Sequence, residues 1–116
     1  MNRKRQGPGE LGRANEPAVL ILTSLASGPR HGYALAKDIE EFAGVTLSPG
    51  TLYGAITRLE EGGFIEPVGE EQRRRPYQIT APGTAALTKA VTEMRTIADE
   101  GIARLGLQRT ALGWTS

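Results

Sequence analysis

Two stretches in the first part of the chain have the hydrophobic spacing of helices. Residues 18–26 are apolar on almost every side, which predicts a helix that must be covered on more than one face. The core of the protomer can cover one face, and the other is covered either by a partner subunit or by more of the same core. Residues 31–43 place Leu35, Ile39 and Phe42 on one side and polar residues outside, which predicts an amphipathic second helix.

A third helix is predicted at Ser48–Gly63, and both of its ends are marked. The Ser48 hydroxyl can accept a hydrogen bond from a free amide of the first turn, and Pro49 suits the first helical position. Gly62 and Gly63 are expected to supply a left-handed stop. One side of this helix is apolar, and the other carries Thr51, Tyr53, Gly54, Thr57 and Arg58. Small groups, hydroxyls and a guanidinium are suited to lie against a phosphate backbone or a base edge.

Beyond the third helix the spacing changes to that of short strands. Residues 64–68 and 77–80 are predicted strands, and Tyr77 and Ile79 alternate on one side of the second. The segment between them, residues 69–76, is polar and contains three consecutive arginines, so it is expected to form the tip of a hairpin. Two helices with a short turn, followed by a basic two-stranded hairpin, outline a winged helix-turn-helix. The predicted fold class is therefore mostly α (α+β).

The last predicted helix is long. Thr80 can cap it, Pro82 is tolerated in its first turn, and Gly106 is expected to end it. Its apolar residues recur at spacings of three and four, close to a heptad seam: Leu87, Val91, Met94, Ala98, Ile102 and Leu105. The body that precedes this helix is too small to cover the whole seam, so we expect the helix to pack against a second copy of the chain. The predicted dimer interface consists of this seam and of Val19, Leu20 and Leu22 from the first helix.

The length of 116 residues allows one domain with a core of its own. Residues 1–14 are polar, Gly-rich and basic, which predicts a disordered arm that either contacts nucleic acid or only solubilises the chain. The winged helix-turn-helix domain is expected at 15–80 and the dimerisation helix at 81–106. Residues 107–116, which include Trp114, are expected to be a tail.

The composition argues against several classes of function. There are no cysteines, so disulfides and thiolate catalysis are excluded, and no run of residues predicts a signal peptide or a membrane span. We therefore expect a cytoplasmic protein without a membrane partner. His31 is the only histidine, and no second metal ligand lies at a useful spacing, so neither a metal site nor a cofactor is predicted. No catalytic constellation is present either, and the chain is not expected to be an enzyme.

The net charge of +1 is too small for a protein that coats nucleic acid non-specifically. Two local basic clusters exist, Arg3–Arg5 and Arg73–Arg75. Adjacent like charges repel one another unless solvent or an anion surrounds them, so the second cluster is either a phosphate contact or a solvated loop. If nucleic acid is the partner, the acidic residues are expected to lie away from the contacting face: Asp38, Glu40, Glu41, Glu60 and Glu61.

Three segments carry a family resemblance. Gly28–Tyr33 reads Gly-Pro-x-His-Gly-Tyr, Ser48–Tyr53 reads Ser-Pro-Gly-Thr-Leu-Tyr, and Arg58-Leu59-Glu60 follows. In this combination, over about residues 17–105, the chain resembles the PadR family, the phenolic-acid-decarboxylase-regulator type of winged-helix transcription factor. Gly54 departs from the proline common in that family, which should soften the recognition helix but allow closer approach to DNA. The single short C-terminal helix resembles that of the smaller subfamily.

The resemblance implies a homodimer that binds double-stranded DNA, with the third helix in the major groove and the hairpin on neighbouring phosphates. It also implies a repressor, in some members relieved by a small-molecule effector. The residues predicted to bind DNA are Ser48, Gly50, Thr51, Tyr53, Gly54, Thr57, Arg58, Arg73, Arg74, Arg75, His31 and Tyr33.

Several alternatives remain open for these residues. Tyr53 can instead pack against the wing, and Arg58 can pair with Glu61. His31 is expected mainly in a turn or capping role. For the whole chain, the leading hypothesis is a homodimeric repressor that binds a pseudo-palindromic operator. The alternative is a winged helix that serves only protein–protein assembly.

Overall fold

Four helices and one antiparallel pair of strands form the regular structure of residues 16–69 and 75–107, the part of the chain that our computed structural model describes. The elements in chain order are α1 (Pro17–Leu25), α2 (Gly32–Ala43), α3 (Pro49–Glu61), β1 (Ile65–Pro67), β2 (Tyr77–Ile79) and α4 (Ala81–Leu105). The predicted fold class is confirmed: a winged helix-turn-helix followed by a long C-terminal helix. The predicted arm at 1–14, Arg73, Arg74 and Trp114 lie outside the described residues.

Both predicted N-caps are confirmed. Ser48 Oγ accepts a hydrogen bond from the amide of Thr51 at 3.2 Å, and Thr80 Oγ1 accepts one from the amide of Gly83 at 3.1 Å. Each cap satisfies an amide that the helix itself leaves without a partner. The starts of α3 and α4 are therefore set by local sequence.

α3 ends in a Schellman motif. The amide of Gly63 donates to the carbonyl of Glu60 at 3.0 Å, and the amide of Phe64 donates to the carbonyl of Leu59 at 2.9 Å. Gly63 has a φ of 84° and is left-handed, whereas Gly62 keeps a φ of −81°. The predicted left-handed stop is thus confirmed for Gly63 and wrong for Gly62.

α1 lies in the middle of the core. It packs against α2, α3, β2 and α4, and Leu22 has no exposed surface, while Val19 and Leu20 are only 3% and 5% exposed. The assignment of these three residues to a dimer interface is therefore wrong, because elements of the same protomer already cover them. The assignment of Leu87 is wrong for the same reason, since this residue of α4 belongs to the core cluster.

α2 contributes less to the core than its apolar spacing predicts. Leu35 and Ile39 are fully buried, but Phe42 is 47% exposed. Phe42 lies in the last turn of α2, just before the left-handed Gly44. At that end of the helix the described residues leave about half of the ring uncovered.

β1 and β2 form the base of the wing. Ile65 lies opposite Ile79 and Pro67 opposite Tyr77 in the antiparallel register. The amide of Val68 donates to the carbonyl of Pro76 at 2.8 Å, which continues the pairing toward the tip.

Arg30 pairs with the other edge of β2. Its amide donates to the carbonyl of Tyr77 at 3.1 Å, and the amide of Tyr77 donates to the carbonyl of Arg30 at 2.8 Å. β2 is therefore held between β1 on one side and the α1–α2 turn on the other. No sequence pattern pointed to this pairing, because a single paired residue has no period.

α4 starts on the body and extends beyond it. The Thr80 hydroxyl donates to the carbonyl of Gly63 at 2.6 Å, which ties the start of α4 to the end of α3. Gly83 is buried so closely that an added Cβ would overlap the carbonyl oxygen of Phe64. The helix has 25 residues, or about 37 Å at 1.5 Å per residue. In the described part of the chain, no helix is both long and apolar enough to cross a membrane.

Candidate nucleic-acid interface

α3 presents one face to the core and the opposite face to solvent. Its core face consists of buried Leu52, Ala55, Ile56 and Leu59. The outward face carries a line of residues at helical spacings of four, three and four: Gly50, Gly54, Thr57 and Glu61. Two of these four have no side chain, so a ligand can approach the backbone of the first half of α3 closely.

The outward line corrects one expectation about charge. Glu61 was expected away from any contacting face, but it lies on the same face as Gly54 and Thr57, at the last position of α3. The N-terminal half of the face has no acidic residue. The face therefore has a neutral, small-residue start and an acidic end.

The first turn of α3 offers a free amide. Ser48 Oγ accepts from the amide of Thr51 and donates to Thr51 Oγ1 at 3.0 Å. The amide of Leu52 donates to the carbonyl of Ser48 at 2.9 Å. The amide of Gly50 has no hydrogen-bond partner among the described residues, and no atom would approach within 4 Å of a Cβ at this position. The arrangement can accept an anion at the positive end of the helix dipole.

The two threonines of α3 differ in the hydrogen-bonding capacity that they leave to a ligand. Thr51 Oγ1 accepts from Ser48, so its own hydrogen can still be donated. Thr57 Oγ1 donates its hydrogen to the carbonyl of Tyr53 at 2.9 Å. The Thr57 hydroxyl hydrogen is therefore already used within α3. Thr57 presents a methyl group and oxygen lone pairs instead.

Tyr53 lies against the start of α2. A Cβ built on Gly32 would be 2.5 Å from Tyr53 Oη and 2.8 Å from its Cε1, so only glycine at position 32 allows the ring to lie there. The ring stays half exposed. Its observed neighbour is α2, and the alternative of packing against the wing is not supported by this contact.

A groove of about 560 Å³ lies at this junction, lined by His31, Gly32, Tyr33, Ala34 and Tyr53. Tyr33 is 75% exposed. His31 occupies the N-cap position of α2, but its side chain makes no capping bond, and the cap consists only of its carbonyl, which accepts from the amide of Leu35 at 2.9 Å. Three of the predicted contact residues are thus brought together beside α3.

Arg58 is exposed and lies over Gly54, where its Nη1 would be 3.7 Å from an added Cβ. Among the described residues no ion pair joins Arg58 to Glu61, so the predicted alternative of an i,i+3 pair is not what the structure contains. The guanidinium remains available on the flank of the outward face.

The described residues at the base of the wing include one of the three predicted arginines. Arg75 is half buried and lies two residues before Tyr77, the residue that pairs with Arg30. On the strands themselves, Gln78 Nε2 donates to Glu66 Oε2 at 2.7 Å. Arg73 and Arg74 fall outside the described residues and remain predictions.

A polar cluster of Ser24, Arg30 and Asp38 was not anticipated. Ser24 is 1% exposed, and its hydroxyl donates to Asp38 Oδ2 at 2.6 Å. Arg30 Nε donates to the Ser24 carbonyl at 3.2 Å and lies 3.7 Å from Asp38 Oδ2. Asp38 therefore lies inside the protomer's contacts, not simply on the outer face of α2. Ser24, a polar residue in a mostly apolar helix, was the one sequence signal that could have pointed to this cluster.

The distal part of α4 carries an apolar stripe that begins beside the core, where Met94 packs, and continues beyond it. Val91 is 41% and Leu105 73% exposed, Ala98 is exposed, and Met94 and Ile102 are partly buried. Ile97, 72% exposed, lies next to this stripe and was missed because it does not fit the strict heptad seam. We call Val91, Met94, Ile97, Ala98, Ile102 and Leu105 the distal stripe.

Within residues 16–69 and 75–107 no group of three or more His, Cys, Asp or Glu residues could hold a metal ion.

Comparison with known proteins decides the family. The model of the transcriptional regulator PadR-like family matches residues 21–89, from within α1 to the first part of α4. The chain belongs to this family. The match includes every described residue of the outward face of α3 and of the wing base, and it ends before the whole distal stripe.

Two curated relatives of this PadR-like chain differ in length. A transcriptional regulator named Rv3488, from Mycobacterium tuberculosis, is 35% identical over 83 residues, which cover 69% of this chain and 77% of that protein. An uncharacterized 37.1 kDa protein in transposon TN4556, from Streptomyces fradiae, is 42% identical over 82 residues, which are 71% of this chain. The chain spans only 24% of the length of that protein.

A solved structure supports the same assignment. The crystal structure of a PadR family transcription regulator from Clostridium difficile superposes with a TM-score of 0.68 at 25% sequence identity. The match covers 78% of this chain and 98% of that one. The fold described above is thus that of PadR-family regulators over most of its length.

Proposed function

We propose that this PadR-family transcriptional regulator is a homodimeric repressor that binds a pseudo-palindromic operator in double-stranded DNA. The observation that carries the proposal is the outward face of α3, which is exposed, small at Gly50 and Gly54, and free of acidic residues in its first half. α3 has 13 residues, about 20 Å of helix, and a helix of this size fits the major groove.

The groups on α3 support separate roles in DNA recognition. The free amide of Gly50 and the N-cap Ser48 are suited to a phosphate, which would fix the register of the helix. Thr57, whose methyl group and lone pairs point outward, is suited to a thymine methyl or to a base donor. Arg58 is suited to a phosphate or a guanine.

The flanks of α3 support additional backbone contacts. Tyr33, Tyr53 and His31 line the groove on one side, and their hydroxyl and imidazole groups can reach phosphates. The wing carries Arg75, and Arg73 and Arg74 are predicted contacts on the same segment. Contacts of this kind raise affinity for all DNA sequences about equally.

The distal stripe supports the dimer. Its exposed Ile97 and Leu105 require cover, and a second copy of α4 with the same stripe is the simplest cover, since symmetric interfaces use one patch twice. Two copies of α3 would then read half-sites about 10 bp apart, or a multiple of this distance. The protein would act in the cytoplasm, and a small-molecule effector stays a prediction.

The proposal is tested by recovering the DNA fragments that the purified protein binds from its own genome and by measuring affinity for them against scrambled DNA. Thr57→Val and Thr57→Ser separate two modes of reading. The first keeps a methyl group and the second keeps the hydroxyl, so a thymine contact predicts that only Thr57→Ser changes the preferred sequence.

Arg75→Ala should weaken binding to every sequence about equally, with Lys89→Ala on the exposed side of α4 as the control for loss of one positive charge. Absence of any preferred fragment at moderate salt would contradict the proposal. It would leave the alternative of a winged helix that serves only protein–protein assembly.

A further inference from the structure

The cluster of Ser24, Arg30 and Asp38, which we call the anchor cluster, joins three elements at one place. Ser24 lies in α1, Asp38 in α2, and Arg30 in the turn between them. The Arg30 guanidinium also donates from Nη2 to Ser27 Oγ at 3.1 Å, and Ser27 Oγ donates to the Ser24 carbonyl at 3.2 Å. The arginine side chain is therefore held on the helix-turn-helix body by several bonds at once.

The main chain of the same arginine holds the wing. Both backbone bonds between Arg30 and Tyr77 lie on the edge of β2 that faces away from β1. Tyr77 is only two residues from Arg75, where the basic tip begins. The side chain of Arg30 thus fixes the turn to α1 and α2, and its backbone fixes the base of the wing to that turn.

We infer that the anchor cluster positions the basic wing relative to α3, so that Asp38 and Arg30 raise DNA affinity without contacting DNA. The inference rests on the proposed function, because it assumes that α3 and the wing bind one DNA duplex. If the Arg30 side chain lost its bonds to α1 and α2, the turn would shift together with the β2 edge that it pairs with, and Arg75 would meet the phosphates less often.

The positioning effect of the anchor cluster can be separated from long-range electrostatic attraction to DNA, because the two change DNA affinity in opposite directions when Asp38 loses its charge. Asp38→Asn removes one negative charge, and a more positive protein binds DNA more tightly through long-range attraction alone. Loss of the anchor predicts the opposite result, since a neutral asparagine at position 38 no longer attracts the Arg30 guanidinium. The sign of the change therefore decides between the two effects.

The experiment measures the affinity of the full chain for its recovered operator across a salt series, with Asp38→Asn compared with Glu41→Gln. Glu41 lies on the same helix, is exposed, and has no hydrogen-bond or ion-pair partner among the described residues. Both substitutions change the net charge by the same amount. We expect Asp38→Asn to bind about tenfold more weakly than the wild type, a change of about 1.4 kcal/mol, and Glu41→Gln to bind as well or better.

The salt dependence provides a second readout, which a merely structural loss would not produce. If the wing is displaced, the slope of log affinity against log salt falls by about one unit for each phosphate that the wing no longer touches, although Asp38 is not basic. In an Arg75→Ala background the effect of Asp38→Asn should shrink, because that background already weakens the interaction between the wing and DNA.

Arg30→Lys is the second variant, and it leaves the net charge unchanged. A lysine keeps a direct phosphate contact as a point charge but cannot bond Ser24 and Ser27 together as the guanidinium does. We expect Arg30→Lys also to weaken binding, while its circular dichroism and oligomeric state match the wild type.

A folded Asp38→Asn protein that binds as tightly as the wild type, or more tightly, would overturn the inference. So would a folded Arg30→Lys protein with full affinity, which decides the matter if Asp38→Asn does not fold. If neither variant folds, the cluster serves the fold alone, and the inference is also wrong. Failure of the proposed function looks different, since the wild-type protein itself would then bind no preferred DNA.

Discussion

α1 and the distal part of α4 are both apolar, but the protomer covers only one of them. Ile21 and Leu22 of α1 have no exposed surface, whereas Ile97 and Leu105 of α4 are 72% and 73% exposed. α1 is surrounded by α2, α3, β2 and the start of α4. α4 is longer than the body on which it starts, so Ile97 and Leu105 keep most of their surface exposed, while Met94 still packs against the core cluster.

The difference shows that an apolar sequence pattern predicts how much surface must be buried. It does not predict whether the same protomer or a partner subunit buries that surface. Both helices were predicted to face a partner subunit. For α1 that prediction is wrong, because a helix that is apolar all round was the centre of a single protomer's core. For α4 the prediction requires an apolar surface that the protomer leaves exposed, and the distal stripe provides one. The dimer itself is a proposal.

α3 contains the same contrast around one helix. Its core face is buried against α1, while Gly50, Gly54 and Thr57 lie on the outward face. Substitutions on the two kinds of surface should therefore affect different measurements.

The largest effect on stability is expected for Leu22→Ala. This change leaves a cavity in a fully buried site and should reduce the free energy of unfolding by about 3 kcal/mol, within the usual range for buried leucines. Leu105→Ala makes the same chemical change on the distal stripe and should reduce the stability of the protomer by less than about 1 kcal/mol. Urea denaturation at several protein concentrations measures both, and equal losses would contradict the comparison.

The next largest effect, on the stability of the dimer, is expected for Ile97→Glu, which would place an unpaired carboxylate in the proposed dimer contact. Dimer dissociation should become easier by about a hundredfold, or about 2.8 kcal/mol, as measured by sedimentation equilibrium. Leu87→Glu is unsuitable for this test because Leu87 lies in the core and its replacement would unfold the protomer.

The matched control is Ala103→Glu, an exposed position about half a turn round α4 from Leu105. It adds the same charge to the same part of the helix and should leave the dimer intact. A wild-type protein that is monomeric at micromolar concentration, or an Ile97→Glu variant that stays dimeric, would show that the distal stripe has a different role.

A smaller effect, with opposite signs in two measurements, is expected for Gly54→Ala. The glycine lies in the interior of α3, where alanine is favoured by about 1 kcal/mol. The added methyl group has room, since its nearest neighbour would be Arg58 Nη1 at 3.7 Å. Thermal unfolding should therefore shift upward while affinity for the operator falls, because the methyl group increases the distance between the helix and DNA. An unchanged affinity would mean that the backbone at Gly54 does not approach DNA.

The smallest effect is expected for Arg95→Ala. Arg95 Nε lies 3.9 Å from Asp99 Oδ2, and both side chains are mostly exposed. Exposed pairs at i,i+4 contribute about 0.3–0.5 kcal/mol, and this order of charges, with the arginine first, is the weaker one. Chemical denaturation should therefore hardly change, and a loss above about 1 kcal/mol would show that this part of α4 is covered in the assembled protein.

Local sequence predicted the elements of this protein well because each signal acts over one or two turns. The caps at Ser48 and Thr80, the left-handed Gly63 and the two short strands follow from hydrogen bonds and backbone angles within a few residues. The family motifs predicted the function in a similar way, since residues in and around α2 and α3 were enough to indicate a winged-helix regulator.

The arrangement of side chains between elements was not predictable in the same way. The bond from Thr57 to the Tyr53 carbonyl removed a donor, and the place of Tyr53 over Gly32 depended on how α3 crosses α2. The interactions of Arg30 with Asp38 and Tyr77 join residues that are 8 and 47 positions apart. No periodicity in the sequence reports such pairs.

The sequence by itself determined where helices and strands begin and end, which side of α3 faces the core, and to which family the chain belongs. Only the tertiary structure decided that α1 is covered by its own protomer, that most of the distal stripe is not, and that one arginine joins the wing to the helix-turn-helix body. The physical reason is range. Caps, turns and amphipathic spacing are local, whereas burial and polar pairing depend on which distant elements come to lie beside each residue.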